Sequence, residues 1–280
     1  KSYEIQSLAN IYLKKEDYKK VAQNYEKIVL FNALTKEDII NIKYSLSKIY
    51  LSLEEYSKSI KYSKELLNKK SNNITLYENL ALGYYYFKKY KESISYIKKA
   101  LKNNKEKENW YKMLYSAYIE TKDYKKAIKT LRVMVKRYNN ESYWMQLISL
   151  YEKTKQKKKS LATLELAYNK GVISKNKNLL YLVSILSDYG VYHKAARYMK
   201  EALENKIIEQ NQQNFNILVS SYLNAKNYKE SIKLLENSSF AKNDKFQLIL
   251  GNIYYNNNDY KNAIRVLKKH YFKKDSRADG

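Results

Sequence analysis

The chain has 280 residues, of which 44% are hydrophobic, enough to bury the core of one or two globular domains. It has no Pro and five Gly, against about 12% expected for the pair. This argues against tight-turn-rich sandwiches and barrels and against Pro/Gly-rich disorder. It also has no Cys, hence no disulfide, thiolate nucleophile or Cys-bound metal, while a net charge of +26 admits an anionic partner.

Taken from the N-terminus, one phrase recurs: Asp17-Tyr18-Lys19-Lys20-Val21, Glu55-Tyr56-Ser57-Lys58-Ser59, Lys89-Tyr90-Lys91-Glu92-Ser93 and Asp123-Tyr124-Lys125-Lys126-Ala127. It continues in Val191-Tyr192-His193-Lys194-Ala195, Asn227-Tyr228-Lys229-Glu230-Ser231 and Asp259-Tyr260-Lys261-Asn262-Ala263. A further copy ends at Ser160 and has Lys157 in place of the Tyr. The small residues closing the phrases are spaced by 38, 34, 34, 33, 35, 36 and 32 positions. A unit of about 34 residues therefore repeats eight times. Each unit reads as two amphipathic helices. In the third, Tyr77, Leu80, Ala81 and Tyr84 precede the phrase at helical spacing, and Ile94, Ile97, Ala100 and Leu101 follow it. Asp17, Asp123, Asn227 and Asp259 stand where a short polar side chain caps the second helix. One such hairpin cannot bury its apolar stripe alone and needs its neighbour.

A second series runs through the first helices. Leu8, Leu46, Leu80, Leu114, Leu147, Leu182, Leu218 and Leu250 recur, followed by Ala9, Ser47, Ala81, Tyr115, Ile148, Val183, Val219 and Gly251. Tyr12, Tyr50, Tyr84, Tyr118, Tyr151, Tyr222 and Tyr254 come next, with Leu186 in the sixth unit. This pattern resembles the tetratricopeptide repeat (TPR) family. The resemblance implies an all-α fold, a right-handed superhelical solenoid of about eight helix-turn-helix repeats. They would form one solenoid over 1–280, with repeats at 2–35, 40–73, 74–107, 108–140, 141–174, 176–210, 212–243 and 244–277. Tyr115, Met134, Ile148 and His270 are bulky where the family prefers Ala, and the family's Pro at the end of the second helix is missing.

The same resemblance implies a non-enzymatic scaffold that holds a partner segment against the first helices. In that register the groove would contain Tyr44, Lys48, Leu51, Glu78, Leu82, Tyr85 and Tyr86, then Lys112, Ser116, Ile119, Met145 and Ser149. Leu180, Ser184, Asn216, Ser220, Leu223, Asn252 and Tyr255 would continue it. Tyr85, Tyr86 and Leu82 have an alternative reading as inter-repeat packing residues. Most of the lysines fall elsewhere, as in Lys98-Lys99, Lys125-Lys126, Lys157-Lys158-Lys159 and Lys268-Lys269, so the charge is expected on the second helices and turns. The clamp that some family members use for acidic chaperone tails is not matched by Gln6, Asn10 and Lys14 or by Lys112, Ser116 and Glu120, which disfavours that partner.

A narrower resemblance rests on Val133–Tyr138, Tyr143–Leu147, Leu161–Tyr168 with Gly171, His193–Arg197, Asn205–Ile208 and Asn224–Tyr228. These segments look like the TPR proteins associated with TonB–ExbB–ExbD energy transduction in Gram-negative bacteria. That resemblance implies a periplasmic setting and a TonB–ExbB–ExbD component as protein partner, with a cytoplasmic location as the alternative. Lys1 without a Met leads to the expectation of a processed or truncated piece, and the turn-like ending Lys273–Gly280 to that of a continuing protein.

No catalytic, cofactor-binding or metal-binding residues are assigned. His193 and His270 are the two His, five dispersed Gly build no phosphate loop, and Glu54-Glu55 and Glu37-Asp38 read as surface or capping groups. Binding of nucleic acid or another anionic polymer through the basic surface is the alternative from another class. Against nucleic acid, only five of the 54 basic residues are Arg, the residue suited to bidentate phosphate contacts. Lys, Tyr, Asn and Ile also share AT-rich codons, so part of the charge follows codon usage. A structural part in a flagellar or pilus assembly is the remaining alternative. No run of residues is apolar enough to span a membrane.

Overall fold

A computed structural model describes residues 2–31, 34–67, 73–103 and 107–275, apart from the side chains of residues 2, 103 and 269–275. The expectations for Lys269, His270 and residues 276–280 lie outside it. The described residues are all-helical, with no strand. In order the helices are α1 Ser2–Lys14, α2 Tyr18–Phe31, α3 Lys36–Ser52, α4 Tyr56–Leu67, α5 Ile74–Tyr86, α6 Tyr90–Asn103, α7 Glu108–Glu120 and α8 Tyr124–Arg137. Then come α9 Glu141–Lys153, α10 Lys157–Asn169, α11 Asn176–Asp188, α12 Tyr192–Glu204, α13 Gln212–Asn224, α14 Tyr228–Asn237, α15 Asp244–Asn256 and α16 Tyr260–Asp275. A short 3₁₀ turn, Ser239–Lys242, joins α14 to α15. The chain divides into two compact units, Lys1–Thr154 and Lys155–Gly280.

Helix starts follow from capping. Asp123 accepts from the Lys126 backbone N–H at 3.1 Å, Asp17 from Lys20 at 3.1 Å, Asn227 from Glu230 at 3.4 Å and Asp259 from Asn262 at 3.2 Å. Each satisfies one of the orphan amides that open a helix. α3 starts at Lys36, ahead of the repeat start expected at 40, because Thr35 caps it through the Asp38 N–H at 3.1 Å.

The scarcity of Gly does not keep tight turns out, contrary to the expectation from composition. Odd-numbered helices end at a residue of positive φ: Glu16, Glu54, Lys88, Lys122, Lys155, Gly190, Lys226 and Asn258. The hydrogen bonds are those of the Schellman turn. Lys122 N–H donates to Ile119 O at 3.0 Å and Asp123 N–H to Tyr118 O at 2.9 Å. The same pair of bonds recurs at Lys88 and Lys89, and at Lys226 and Asn227. The acceptor in the longer bond is repeatedly the carbonyl of the recurring Tyr. The left-handed conformation costs a non-Gly residue about 1–2 kcal/mol, offset here by two carbonyls satisfied and the next helix capped.

In unit 1 each helix packs on the next from α1 to α9, and in unit 2 from α10 to α16. The recurring Leu are buried, with Leu46, Leu80 and Leu182 fully so, each worth about 1.5–3 kcal/mol on transfer from water. Leu8, on the first helix, is 41% exposed. The small positions let paired helices approach. Ser59 Oγ donates to Ser47 O at 2.7 Å and Ser93 Oγ to Ala81 O at 2.8 Å, each across a hairpin. Asn79 Nδ2 then reaches Ser47 Oγ at 3.1 Å from the following hairpin. A Cβ at Gly251 would stand 2.5 Å from Leu267 Cδ2, so that hairpin closes on a bare Cα. The bulky Met134 and Ile148 are nevertheless accommodated fully buried, and Tyr115 half-buried.

Candidate functional site

In unit 1 the expected residues lie on α3, α5, α7 and α9. Tyr44 is half-buried, and the Lys48 ammonium sits 4.5 Å from its ring centroid, one helical turn on. Leu51 is half-buried. Glu78 is bound within the fold: Lys107 Nζ lies 2.6 Å away and Trp110 Nε1 donates to it at 3.3 Å. Leu82 and Ile119 pack against the core that contains Trp110, Leu131 and Leu147. Lys112 is exposed, pairs with Glu108 at 3.1 Å, and stands 6.0 Å from the Tyr143 ring centroid. The Tyr143 hydroxyl, followed by Lys112, holds the Glu108 carboxyl below its ordinary range. Met145 is half-buried and Ser149 exposed.

Three of these residues are brought together. Tyr85 Oη donates to Ser116 Oγ at 2.8 Å, tying α5 to α7. Tyr86 meets Tyr85 edge-on, with centroids 5.6 Å apart, and remains 52% exposed. Two further rings complete the group: Tyr56 stacks on Tyr86 at 5.6 Å, and Tyr90 lies edge-on to Tyr85 at 5.6 Å. Tyr56 and Tyr90 are phrase tyrosines that open α4 and α6. Their places at the starts of those helices bring both to the end of α5. Both phenols are held above their ordinary range, first by burial and then by Glu54 at Tyr56 and Glu120 at Tyr90. In the next hairpin Lys153 stands 4.8 Å from the Tyr124 ring centroid, so a cation takes the place of a second ring.

In unit 2 Leu180, Asn216 and Leu223 are half-buried, and Ser184, Ser220 and Asn252 exposed. Tyr255 is 60% exposed and edge-on to Tyr260 at 5.8 Å. No such ring cluster joins Asn216 and Leu223. The contact between phrase position and following helix is preserved with its partners exchanged: Lys157, which replaces the Tyr, lies 5.6 Å from the Tyr189 ring centroid. Lys98, Lys99, Lys125, Lys126, Lys157, Lys158, Lys159 and Lys268 are exposed on the B helices. Several ammonium groups rest on the chain's own rings, such as Lys58 at 4.6 Å from Tyr50 and Lys99 at 5.1 Å from Tyr96. Among the described residues no cluster of three or more acidic or His side chains is placed to hold a metal ion. None of the described helices is long and apolar enough to cross a membrane.

Helical hairpins stacked on their neighbours, with exposed side chains along the first helices, define a helical-repeat protein. Residues 245–269, across α15 and α16, match the tetratricopeptide repeat, which supports that family for the repeat. Among solved structures, the chain is similar to that of Naa15/Naa10 bound to HypK-THB, at 16% identity and a TM-score of 0.54, over 98% of this chain. It spans 42% of the length of that structure's chain, and the similarity shows a shared fold. It is also similar to a tetratricopeptide repeat protein from Parabacteroides merdae ATCC 43184 at 11% identity, with a TM-score of 0.47 over 90% of this chain and 96% of that one. A MamA protein crystal structure is similar at 14% identity, with a TM-score of 0.49 over 60% of this chain and 91% of that one. No curated protein matches the chain.

Proposed function

We propose that the chain is a non-enzymatic scaffold that binds a partner protein segment along the A helices of unit 1, centred on the tyrosines at the end of α5 and the starts of α4 and α6. The observation that carries this is the Tyr86 ring, which is half exposed yet held in place by Tyr56 and Tyr85. Rings held in place with an open face lose little entropy on contact and suit an anchoring role. On the narrower resemblance stated above, the setting proposed is the periplasm of a Gram-negative bacterium, with a TonB–ExbB–ExbD component as the partner.

The test is affinity capture from envelope and cytosol of the source organism, eluted with rising salt, using wild type and Tyr86→Ala. A protein retained at high salt by wild type and lost by the variant, with helicity unchanged, is the expected outcome. ExbB, ExbD or TonB among the retained proteins would support the finer reading. Tyr44→Ala and Tyr85→Ala should also weaken capture, and loss of helicity in either would mark that ring as packing. Elution of nucleic acid or anionic polymer alone at modest salt would replace the groove with the basic surface.

A further inference from the structure

In unit 1 the residue two places after the recurring Tyr of an A helix lies against the phrase Tyr of the preceding hairpin. Tyr86 stands there against Tyr56, with centroids 5.6 Å apart. Lys153 stands there against Tyr124, its ammonium 4.8 Å from the ring centroid. In the hairpin between them the same place is held by Glu120, two residues after Tyr118 as Tyr86 is after Tyr84. Its carboxylate faces Tyr90 and, after burial, helps hold that phenol above its ordinary range. Glu54, in the turn before α4, acts on Tyr56 in the same way. Both carboxylates are exposed, and neither forms an ion pair among the described residues.

Elsewhere the chain supplies the cation itself. Lys64 stands 5.5 Å from the Tyr84 ring centroid, and Lys98 5.9 Å from that of Tyr118. Lys89, in the turn beside the tyrosine group, rests on Phe87 at 5.3 Å. In unit 2 a cavity of about 370 Å³ opens between α12, α13 and α14, lined by Tyr222, Glu204 and Glu230. There Lys200 answers both carboxylates, at 3.8 Å and 4.0 Å. Counted from the Tyr that opens each helix, Lys200 of α12 stands where Glu236 stands in α14. Among the described residues no cation stands over Tyr56, Tyr85, Tyr86 or Tyr90, whose ring neighbours are one another.

We infer that the tyrosine group takes a basic side chain of the partner segment, its cation against the Tyr86 and Tyr90 rings and its charge met by Glu120 and Glu54. The inference rests on the groove reading above and adds the chemistry of the anchor. Lys153 on Tyr124 is the internal version of the contact, one hairpin further on. An acidic anchor would meet two like charges, and an apolar one would leave both carboxylates unanswered. The net charge of +26 repels a basic segment at long range. At physiological salt that repulsion decays over about 8 Å, and the charges that act on Tyr56 and Tyr90 are the two carboxylates.

The test is an NMR titration of the full chain, carrying ¹³C-labelled Tyr rings, with acetyl-Gly-Arg-Gly-amide. Its citrulline counterpart, which keeps the shape of arginine without the charge, is the control. Shifts at Tyr56, Tyr86 and Tyr90 are expected with the arginine peptide, with Tyr222 and Tyr254 unmoved. The arginine peptide should bind about fivefold tighter than the citrulline peptide, the combined worth of an exposed cation–π contact and a surface ion pair. Glu120→Gln and Glu54→Gln, both at exposed positions, should each weaken arginine binding about twofold. Glu120→Lys copies the arrangement at Lys153 and should abolish the preference for arginine. Equal binding of the two peptides at these rings would overturn the basic anchor and leave the groove standing. No shift at Tyr86, shifts spread over tyrosines throughout the chain, or an undiminished preference in the Glu120→Lys protein would overturn it too. The capture experiment with Tyr86→Ala judges the groove separately.

Discussion

Tyr222 and Tyr254 occupy the same place in α13 and α15 and are each 6% exposed. One phenol is hydrogen-bonded to Glu236; the other faces a cavity. The recurring residue settles how deeply a ring is buried, because the helix spacing repeats with it. Whether its hydroxyl is satisfied depends on residues outside the repeat pattern, Glu236 in one case and Lys200 in the other. α14, at 10 residues, is the shortest of the described helices, and it ends beside the cavity. Repeating a buried position is therefore compatible with opening a cavity beside it.

Removing the two rings tests this comparison most severely. Tyr254→Ala takes away a packed ring and its bond to Glu236, and should cost about 3–5 kcal/mol in urea unfolding. Tyr222→Ala widens a space already open to solvent and should cost about 2–3 kcal/mol. Equal losses would mean that the cavity gives Tyr222 no energetic distinction.

Removing the partners comes next. Glu236→Ala strips both Tyr254 and Arg265 of an acceptor and should cost about 1–2 kcal/mol, towards the low end because the carboxylate is partly exposed. Lys200→Ala removes only two stretched ion pairs and should change stability by less than about 0.5 kcal/mol. A larger effect at Lys200 would show that it shields the cavity more firmly than its distances indicate.

Much of this was legible beforehand. The phrase beginning at Asp123 announced both a helix start and its cap, because a short carboxylate before Tyr124 has few other uses. The small residues at Ser59, Ser93 and Ala127 announced close helix pairs. Two features were not legible, for physical reasons. Lys88 and Lys122 give no composition signal for a left-handed turn, since the hydrogen bonds that hold them there come from the preceding helix and the following cap. Tyr222 and Tyr254 look alike in sequence, since their difference lies in which side chain arrives from the preceding B helix. Among the groove residues, Glu78 has its ion pair with Lys107, and nothing in the repeat spacing foretold that partner. Tyr56 and Tyr90 were visible as repeats, but their position beside Tyr85 and Tyr86 needed the third dimension.

Removing only the hydroxyls should separate the two sites. Tyr254→Phe should cost about 1 kcal/mol, the net worth of a hydrogen bond. Tyr222→Phe removes a hydroxyl that has no protein partner and opens on the cavity, and should change stability by less than about 0.5 kcal/mol. Thermal unfolding of the two proteins at neutral pH checks this.

Alkaline titration reads the two phenols directly. Burial first, with Glu236 next for Tyr254 and Glu230 next for Tyr222, pushes both phenols up to about 12, against about 10 in an unfolded chain. A raised folded value favours the protonated form, so this stability is fully present below pH about 10 and is lost as the pH rises through about 12. Ultraviolet difference titration of wild type against Tyr222→Phe and Tyr254→Phe isolates each phenol. A phenol that ionises at about pH 10 in wild type would show that its ring is less deeply held than its exposure implies.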